Sequence, residues 1–213
     1  MNPEPFVVTA DPDLDAVTAT LVEAFRDDPV LRWTVPPETP DRERWLDGFL
    51  RSTTALLLAH DGRVAHTSGH EAVAVWSPPG QPDLDEAGNA AWLAELARVT
   101  GPCAERAVTL MAALDEHHPG DLPPHVHVMF AAARPEAAGR GVLMLRALTR
   151  RLGDPAVGLY AEASSPVNLA LWQAMGLQRT GPEIPLPGGP SLYPIHAPGS
   201  DRAGLAPSAL RAG

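Results

Sequence analysis

Lysine is absent from the 213 residues, so all 16 basic side chains are arginine. That removes the residue on which Schiff-base catalysis and the Walker-type phosphate site depend. Cysteine is nearly absent. Cys103 alone cannot close an intrachain disulfide or build a thiolate metal cluster, and a lone cysteine fits a reducing cytoplasm. Long hydrophobic runs are also missing, with no stretch near the ~18 apolar residues that a membrane span requires. The opening Met1-Asn2-Pro3-Glu4-Pro5 lacks the basic start and apolar run of a secretory signal. The expectation is a soluble cytoplasmic protein without a membrane partner. Positive charge is scarce: 26 acidic against 16 basic residues leave a formal net charge of -10. A surface that tracks nucleic-acid phosphates is therefore not expected.

What is present suffices for one globular domain with a sizeable core, since 45% of the residues are apolar. The weight of Ala, Gly, Arg and the 24 prolines looks like the coding bias of a GC-rich bacterium. No internal repeat is visible. Residues 1–196 read as a single domain, and residues 197–213, rich in Pro, Gly, Ala and Ser, as a disordered C-terminal tail.

Residues 6–9 read as a short strand. Asp11-Pro12-Asp13 then starts a helix with Leu14, Val17, Leu21, Val22 and Phe25 at helical spacing. Asp27-Asp28-Pro29 ends it, and a second helix is expected over about 40–58. Residues 64–67 and 72–76 form a β-hairpin stopped by Ser77-Pro78-Pro79-Gly80. Helices over 84–99 and 104–114, broken at Gly101-Pro102, make a helical insert able to cover a pocket. His125 to Ala133 is a strand whose second half is apolar throughout, as at the centre of a sheet. Helix 142–152, strand 158–163, helix 166–175 and strands near 177–183 and 191–196 complete an α/β alternation, an α+β mixed sheet of about six or seven strands.

The central strand runs into Arg134-Pro135-Glu136-Ala137-Ala138-Gly139-Arg140-Gly141-Val142-Leu143. A Gly-Arg-Gly turn opening a helix suits phosphate: glycines admit close backbone approach, and the first N–H groups lack intrahelical partners at the positive end of the dipole. Alone, such a Gly-x-Gly is weak evidence.

The order strand, Gly-rich turn, helix, strand, Ser-Ser-Pro-x-Asn, helix resembles the GCN5-related N-acetyltransferase (GNAT) superfamily. The likeness is nearest to bacterial antibiotic-type members similar to puromycin N-acetyltransferase. It rests on Ala24-Phe25-Arg26-Asp27-Asp28-Pro29, His125 through Pro135, Gly139-Arg140-Gly141, Glu162-Ala163-Ser164-Ser165-Pro166-Val167-Asn168, Met175-Gly176-Leu177 and Pro187-Gly188-Gly189-Pro190-Ser191-Leu192, six pieces in order over about 170 residues. The resemblance implies a mixed sheet splayed between its central parallel strands, with acetyl-CoA in the opening. Ala131 and Ala133 would flank the coenzyme, the backbone of Gly139, Arg140, Gly141, Val142 and Leu143 would hold its pyrophosphate, and Asn168 would bond backbone or coenzyme. It also implies direct transfer: an amine attacks the thioester, a base takes its proton, backbone N–H groups stabilise the oxyanion and an acid protonates the thiolate.

Three positions depart from the family pattern. Ala138 stands where Gln or Arg is usual, Leu143 where a small residue is usual, and Trp172 where a tyrosine often acts as acid. An indole N–H cannot serve as an acid near neutral pH. The expectation is weakened coenzyme binding.

Glu162 is the candidate base, a strand acid whose burial should raise its pKa, with a structural hydrogen bond as the equal alternative. His125 and His127 share one strand face by period-two alternation and are candidates for base or substrate contact, with a solvated strand end as the alternative. Asp115, Glu116, His117 and His118 run consecutively on a loop rather than on a ligand scaffold, so no metal site is expected. Within the resemblance this segment lies beside the acceptor pocket, which makes His118 a candidate substrate contact. Asp27 and Asp28 read as turn and cap residues, with amine recognition by Asp28 as the sharper alternative, and Cys103 as core. The primary functional expectation is an acetyl-CoA-dependent N-acetyltransferase for a small-molecule amine, an antibiotic or biosynthetic intermediate. The alternatives are the same fold turned to another reaction or to ligand binding without acyl-CoA, and a non-catalytic interaction subunit. Monomer and homodimer are both open.

Overall fold

The computed structural model describes residues 6–80, 84–152 and 157–198. A mixed sheet organises them, with strands β1 (Val7–Thr9), β2 (Arg63–His66), β3 (Ala72–Ser77), β4 (His125–Ala133), β5 (Gly158–Ala163), β6 (Gln178–Arg179), β7 (Ile184–Pro185) and β8 (Ser191–Ala197). Their spatial order is β1-β2-β3-β4-β5-β8-β6, with β7 on β8. The helices are α1 (Leu14–Ala24), α2 (Pro29–Thr34), α3 (Arg42–Ala59), α4 (Glu86–Thr100), α5 (Ala104–Glu116), α6 (Ala138–Leu152) and α7 (Pro166–Ala174). The sheet has eight strands where six or seven are expected. The extra one arises because the stretch 177–183 is broken at Gly181, whose φ is 70°, and at Pro182, which has no N–H to give a ladder.

Helix starts follow cap chemistry. Asp13 accepts from Ala16 N–H, Asp85 from Gly88 N–H and Ser165 from Asn168 N–H, each satisfying an orphan donor. Asp28-Pro29 both ends the first unit and starts α2, a helix absent from the sequence reading. The Asp28 side chain accepts from Val30 and Leu31 N–H, and Pro29 takes the first helical position. Six residues are too few to display a helical period.

The helices cover the sheet's two faces with separate cores. Val17, Leu21, Leu46, Phe49, Leu50, Leu96 and Leu110 from α1, α3, α4 and α5 bury Val64, Val73, Val75 and Phe130. Met144, Leu145, Leu148 and Trp172 from α6 and α7 bury Ala74, Trp76, Val126, Val128, Leu159, Ala161 and Ile195 on the other face. Strand alternation puts Val75 and Trp76 on opposite faces, and a bulge does the same for β4. Val75 pairs with Phe130 and Trp76 with Val128, leaving Met129 as the extra residue. Val126 and Val128 therefore face α6 and α7, while Phe130 faces the other core.

Helix α6 begins at Ala138, after a 3-10 turn at Pro135–Ala137, four residues before the position at which apolar periodicity places its start. Gly139-Arg140-Gly141 is thus its first turn. A Cβ on Gly141 would stand 2.4 Å from the Ala133 Cβ, whereas one on Gly139 would meet nothing within 4 Å. Close packing of α6 on β4 is the reason for Gly141. At the far end of the chain, Ala197 still pairs with Leu159 in β8, and residues 199–213 of the expected tail lie outside the described residues. Among the described residues no helix is long and apolar enough to cross a membrane.

Candidate active site

β4 and β5 pair in parallel from His125–Gly158 to Val128–Ala161, and there the ladder stops. Both strands continue, β4 to Ala133 and β5 to Ala163, so they part, and among the described residues the β4 edge beyond Val128 that faces β5 has no strand partner. A pocket of about 850 Å³, part of it open solvent, fills this wedge. Its walls are apolar, with Phe25, Leu31, Phe49, Leu110, Met111 and Phe130 facing Ala131, Leu171 and Trp172, and its polar groups are Asp28, Glu162, Ser164 and Asn168.

Glu162 sits where the pocket meets a polar cluster. Its side chain is 4% exposed, and His127 Nε2 donates to its Oε2 at 2.9 Å. The parallel register aligns His127 with Tyr160, so His127, Tyr160 and Glu162 share a face. Among the described residues, the other carboxylate oxygen, Oε1, and the Tyr160 hydroxyl are both buried without a hydrogen-bond partner. The Tyr160 hydroxyl is near enough to favour the carboxylate, yet the two do not complete a hydrogen bond.

Burial pushes the Glu162 carboxyl up, but the charge and hydrogen bond of His127, helped by Tyr160 and His118, outweigh it and hold the group below the ordinary carboxylate range. The expectation of a raised pKa is corrected here, because sequence alone could not pair Glu162 with a residue 35 positions away. Burial, and then the Glu162 charge, drive the Tyr160 hydroxyl well above its usual value.

Behind Glu162, off the pocket wall, the histidines pack together. His118 lies 5.1 Å from His125 and 5.1 Å from His127 between ring centroids, and meets Tyr160 edge-on at 4.9 Å. His125 Nδ1 stands 2.8 Å from the Pro123 carbonyl and its Nε2 3.1 Å from His118 Nε2. Since the carbonyl can only accept, His125 donates from Nδ1, and in the neutral ring its Nε2 accepts from His118. Burial, and then His127, lower the His118 pKa. The pKa of His196, opposite Tyr160 on β8, is lowered by burial and then by His125, and among the described residues its Nε2 has no partner.

A second polar chain crosses the pocket. Asn168 Nδ2 donates to Ser164 Oγ at 2.8 Å, and Ser164 Oγ donates to Asp28 Oδ2 in a short hydrogen bond. Asp28 Oδ1 caps α2. Burial raises the Asp28 pKa, opposed by Ser164 and the Leu31 and Val30 N–H groups. The cap expected of Asp28 is thus present, and its carboxyl also lines the pocket.

Of the positions the resemblance assigns to coenzyme, Ala131 and Asn168 line the pocket. Ala133 packs under Gly141, Arg140 pairs with Glu71 at 2.9 Å and Leu143 is 61% exposed. The N–H groups of Ala137 and Ala138 already donate to the Arg134 and Pro135 carbonyls. Trp172, 7% exposed, packs into the core shared with α6. Tyr160, Ser164 and His196 were not singled out from sequence. Tyr160 had a signal in its i, i+2 relation to Glu162, whereas His196 depends on strand pairing alone.

The splayed sheet with its parallel central pair and flanking helices is the fold of the GNAT acetyltransferases. One structure similar to this chain is described as histone acetyltransferase HPA2 and related acetyltransferase from Corynebacterium glutamicum, 26% identical, covering 92% of this chain and 98% of that one at a TM-score of 0.60. An arylalkylamine N-acetyltransferase 2 from Aedes aegypti shares the fold at 13% identity and a TM-score of 0.58, covering 90% and 98%. An agmatine N-acetyltransferase does so at 18% identity and 0.53, covering 91% and 99%. No family model and no curated protein matches the sequence.

Proposed function

We propose that this chain is an acetyl-CoA-dependent N-acetyltransferase acting on a small amine with an apolar body. The observation that carries the reading is the wedge beyond Val128 and Ala161 with a buried ionised carboxylate, Glu162, on its wall. When bound, acetyl-CoA would supply the thioester carbonyl that the amine attacks, and its thiolate would leave and take a proton from water, since Trp172 stands where the acid would be. The unpaired β4 edge offers backbone N–H groups to the developing oxyanion. Glu162 accepts the amine proton at Oε1, and His127 holds Oε2 and keeps the carboxylate charged. Phe25, Phe49, Leu110 and Phe130 favour an apolar substituent on the amine. The solved relatives named for arylalkylamine and agmatine substrates support a small amine as acceptor. The likeness to antibiotic-type members favours an antibiotic or biosynthetic amine, and the lone, buried Cys103 fits work in the cytoplasm.

One observation favours a second reading, a fold member that no longer uses acyl-CoA: the Ala137 and Ala138 N–H groups at the start of α6 already have carbonyl partners, and the Leu143 side chain stands exposed on that helix. Calorimetric titration with acetyl-CoA, followed by acetylation assays over a panel of aromatic and aliphatic amines, decides between them. Saturable binding and turnover are expected, and no binding at millimolar acetyl-CoA overturns the first reading. Leu143→Gly with Ala138→Gln is expected to tighten binding if those side chains weaken it.

A further inference from the structure

We propose that His118, His127 and Glu162 form a binding site for a divalent transition-metal ion, zinc foremost. One donor atom from each lies within 4.8 Å of the others. Around tetrahedral zinc, nitrogen and oxygen ligands at about 2.0–2.2 Å stand about 3.4 Å apart, so modest side-chain rotations close the set. Two imidazoles and one carboxylate suit zinc, cobalt or nickel rather than magnesium or calcium, and three protein ligands leave a position for water.

Three features beyond proximity point to an ion. Among the described residues Glu162 Oε1 is buried with no partner, an arrangement that costs free energy unless something fills the coordination. His118 is oriented from behind. Pro123 C=O accepts from His125 Nδ1 and His125 Nε2 accepts from His118 Nε2, which leaves His118 Nδ1 with a free lone pair, the outer-shell arrangement that fixes the tautomer of a metal-binding histidine. His118 is only partly buried, which gives an ion a way in. Without the ion, His127 Nε2 keeps the proton it donates to Glu162 Oε2, and an ion held at Oε1 would take the oxygen that accepts the amine proton. Metal occupancy and proton acceptance by Glu162 therefore exclude each other, and the ion would hold the site inactive.

The inference shares residues with the acetyl-transfer reading without depending on it, because metal binding is measured with no acetyl-CoA present. The full chain, stripped with chelator, is titrated with zinc chloride calorimetrically, and its bound metal is counted by elemental analysis. Cobalt(II) is substituted for its visible spectrum. One ion per chain is expected, with the intense bands of four-coordinate cobalt, and binding should weaken by more than the roughly 10- to 100-fold that loss of an outer-shell partner costs in each of Glu162→Gln, His127→Gln and His118→Ala.

The exposed pair His66 and His70, stacked at 4.1 Å, is the alternative place for adventitious zinc, and the double variant His66→Ala, His70→Ala should keep its ion. Loss of the ion in that double variant, retention in His118→Ala and Glu162→Gln, or a weak six-coordinate cobalt spectrum overturns the proposal. Because the cobalt spectrum is read on the unmodified chain, the test stands even if a variant fails to fold.

Discussion

At Glu162, burial acts against the charge and then the hydrogen bond of His127, and His127 wins. Burial favours the neutral carboxyl, and His127, whose Nε2 lies 2.9 Å away, favours the charged one. Glu162→Gln keeps the shape and removes the proton acceptor. The expected result is a fall in kcat of about 10²- to 10⁴-fold with little change in the amine's KM, measured on whichever amine the panel identifies. His127→Gln should show a smaller fall, since it acts through Glu162, together with a shift in the acidic limb of the pH profile. Glu162 itself was legible in the sequence, as the one acid in an otherwise apolar strand. Its partner was not, because which histidine faces it depends on the parallel register of β4 and β5.

Among the elements, the start of α6 changes most between sequence and structure. Gly139 and Gly141 look equivalent in a Gly-Arg-Gly motif. Yet Gly141→Ala would drive a methyl into Ala133, 2.4 Å away, while Gly139→Ala meets nothing. Urea unfolding should show Gly141→Ala destabilised by about 1–3 kcal/mol and Gly139→Ala stabilised by about 0.5–1 kcal/mol, the usual gain for Gly to Ala in a helix. Similar losses at both would overturn the packing account.

The same helix is tied to the β2–β3 hairpin through Arg140 and Glu71. The Thr67 hydroxyl, backbone N–H groups and Arg140 hold the Glu71 carboxyl down at about 2. A depressed acid stabilises the fold above its unfolded pKa, near 4.3. That contribution is lost as pH falls from there through about 2. Thermal melts of Glu71→Gln should therefore lose less stability than the parent between those limits, and an identical pH response would refute it.

For the whole molecule, the consequential feature is a sheet that comes apart at its centre. Acetyl-CoA bound in that wedge would stabilise only the native state, so at 100 times its dissociation constant it should add about 2.7 kcal/mol, read as a raised Tm. An unchanged Tm at millimolar acetyl-CoA would favour the reading without acyl-CoA. The alternation of elements, the Asp13 and Asp28 caps, the hairpin and the Glu162 strand follow from sequence by itself, because periodicity, Asp caps and Pro-Gly stops are local and each residue reports its own neighbourhood. Only the tertiary structure decided the bulge at Met129 that redirects β4, the pairing of His127 with Glu162, the meeting of His118 with both, and the use of Gly141 for packing. Each of these is a contact between segments far apart in the chain, set by strand register and by how helices settle on the sheet, and no local pattern of residues encodes that distance.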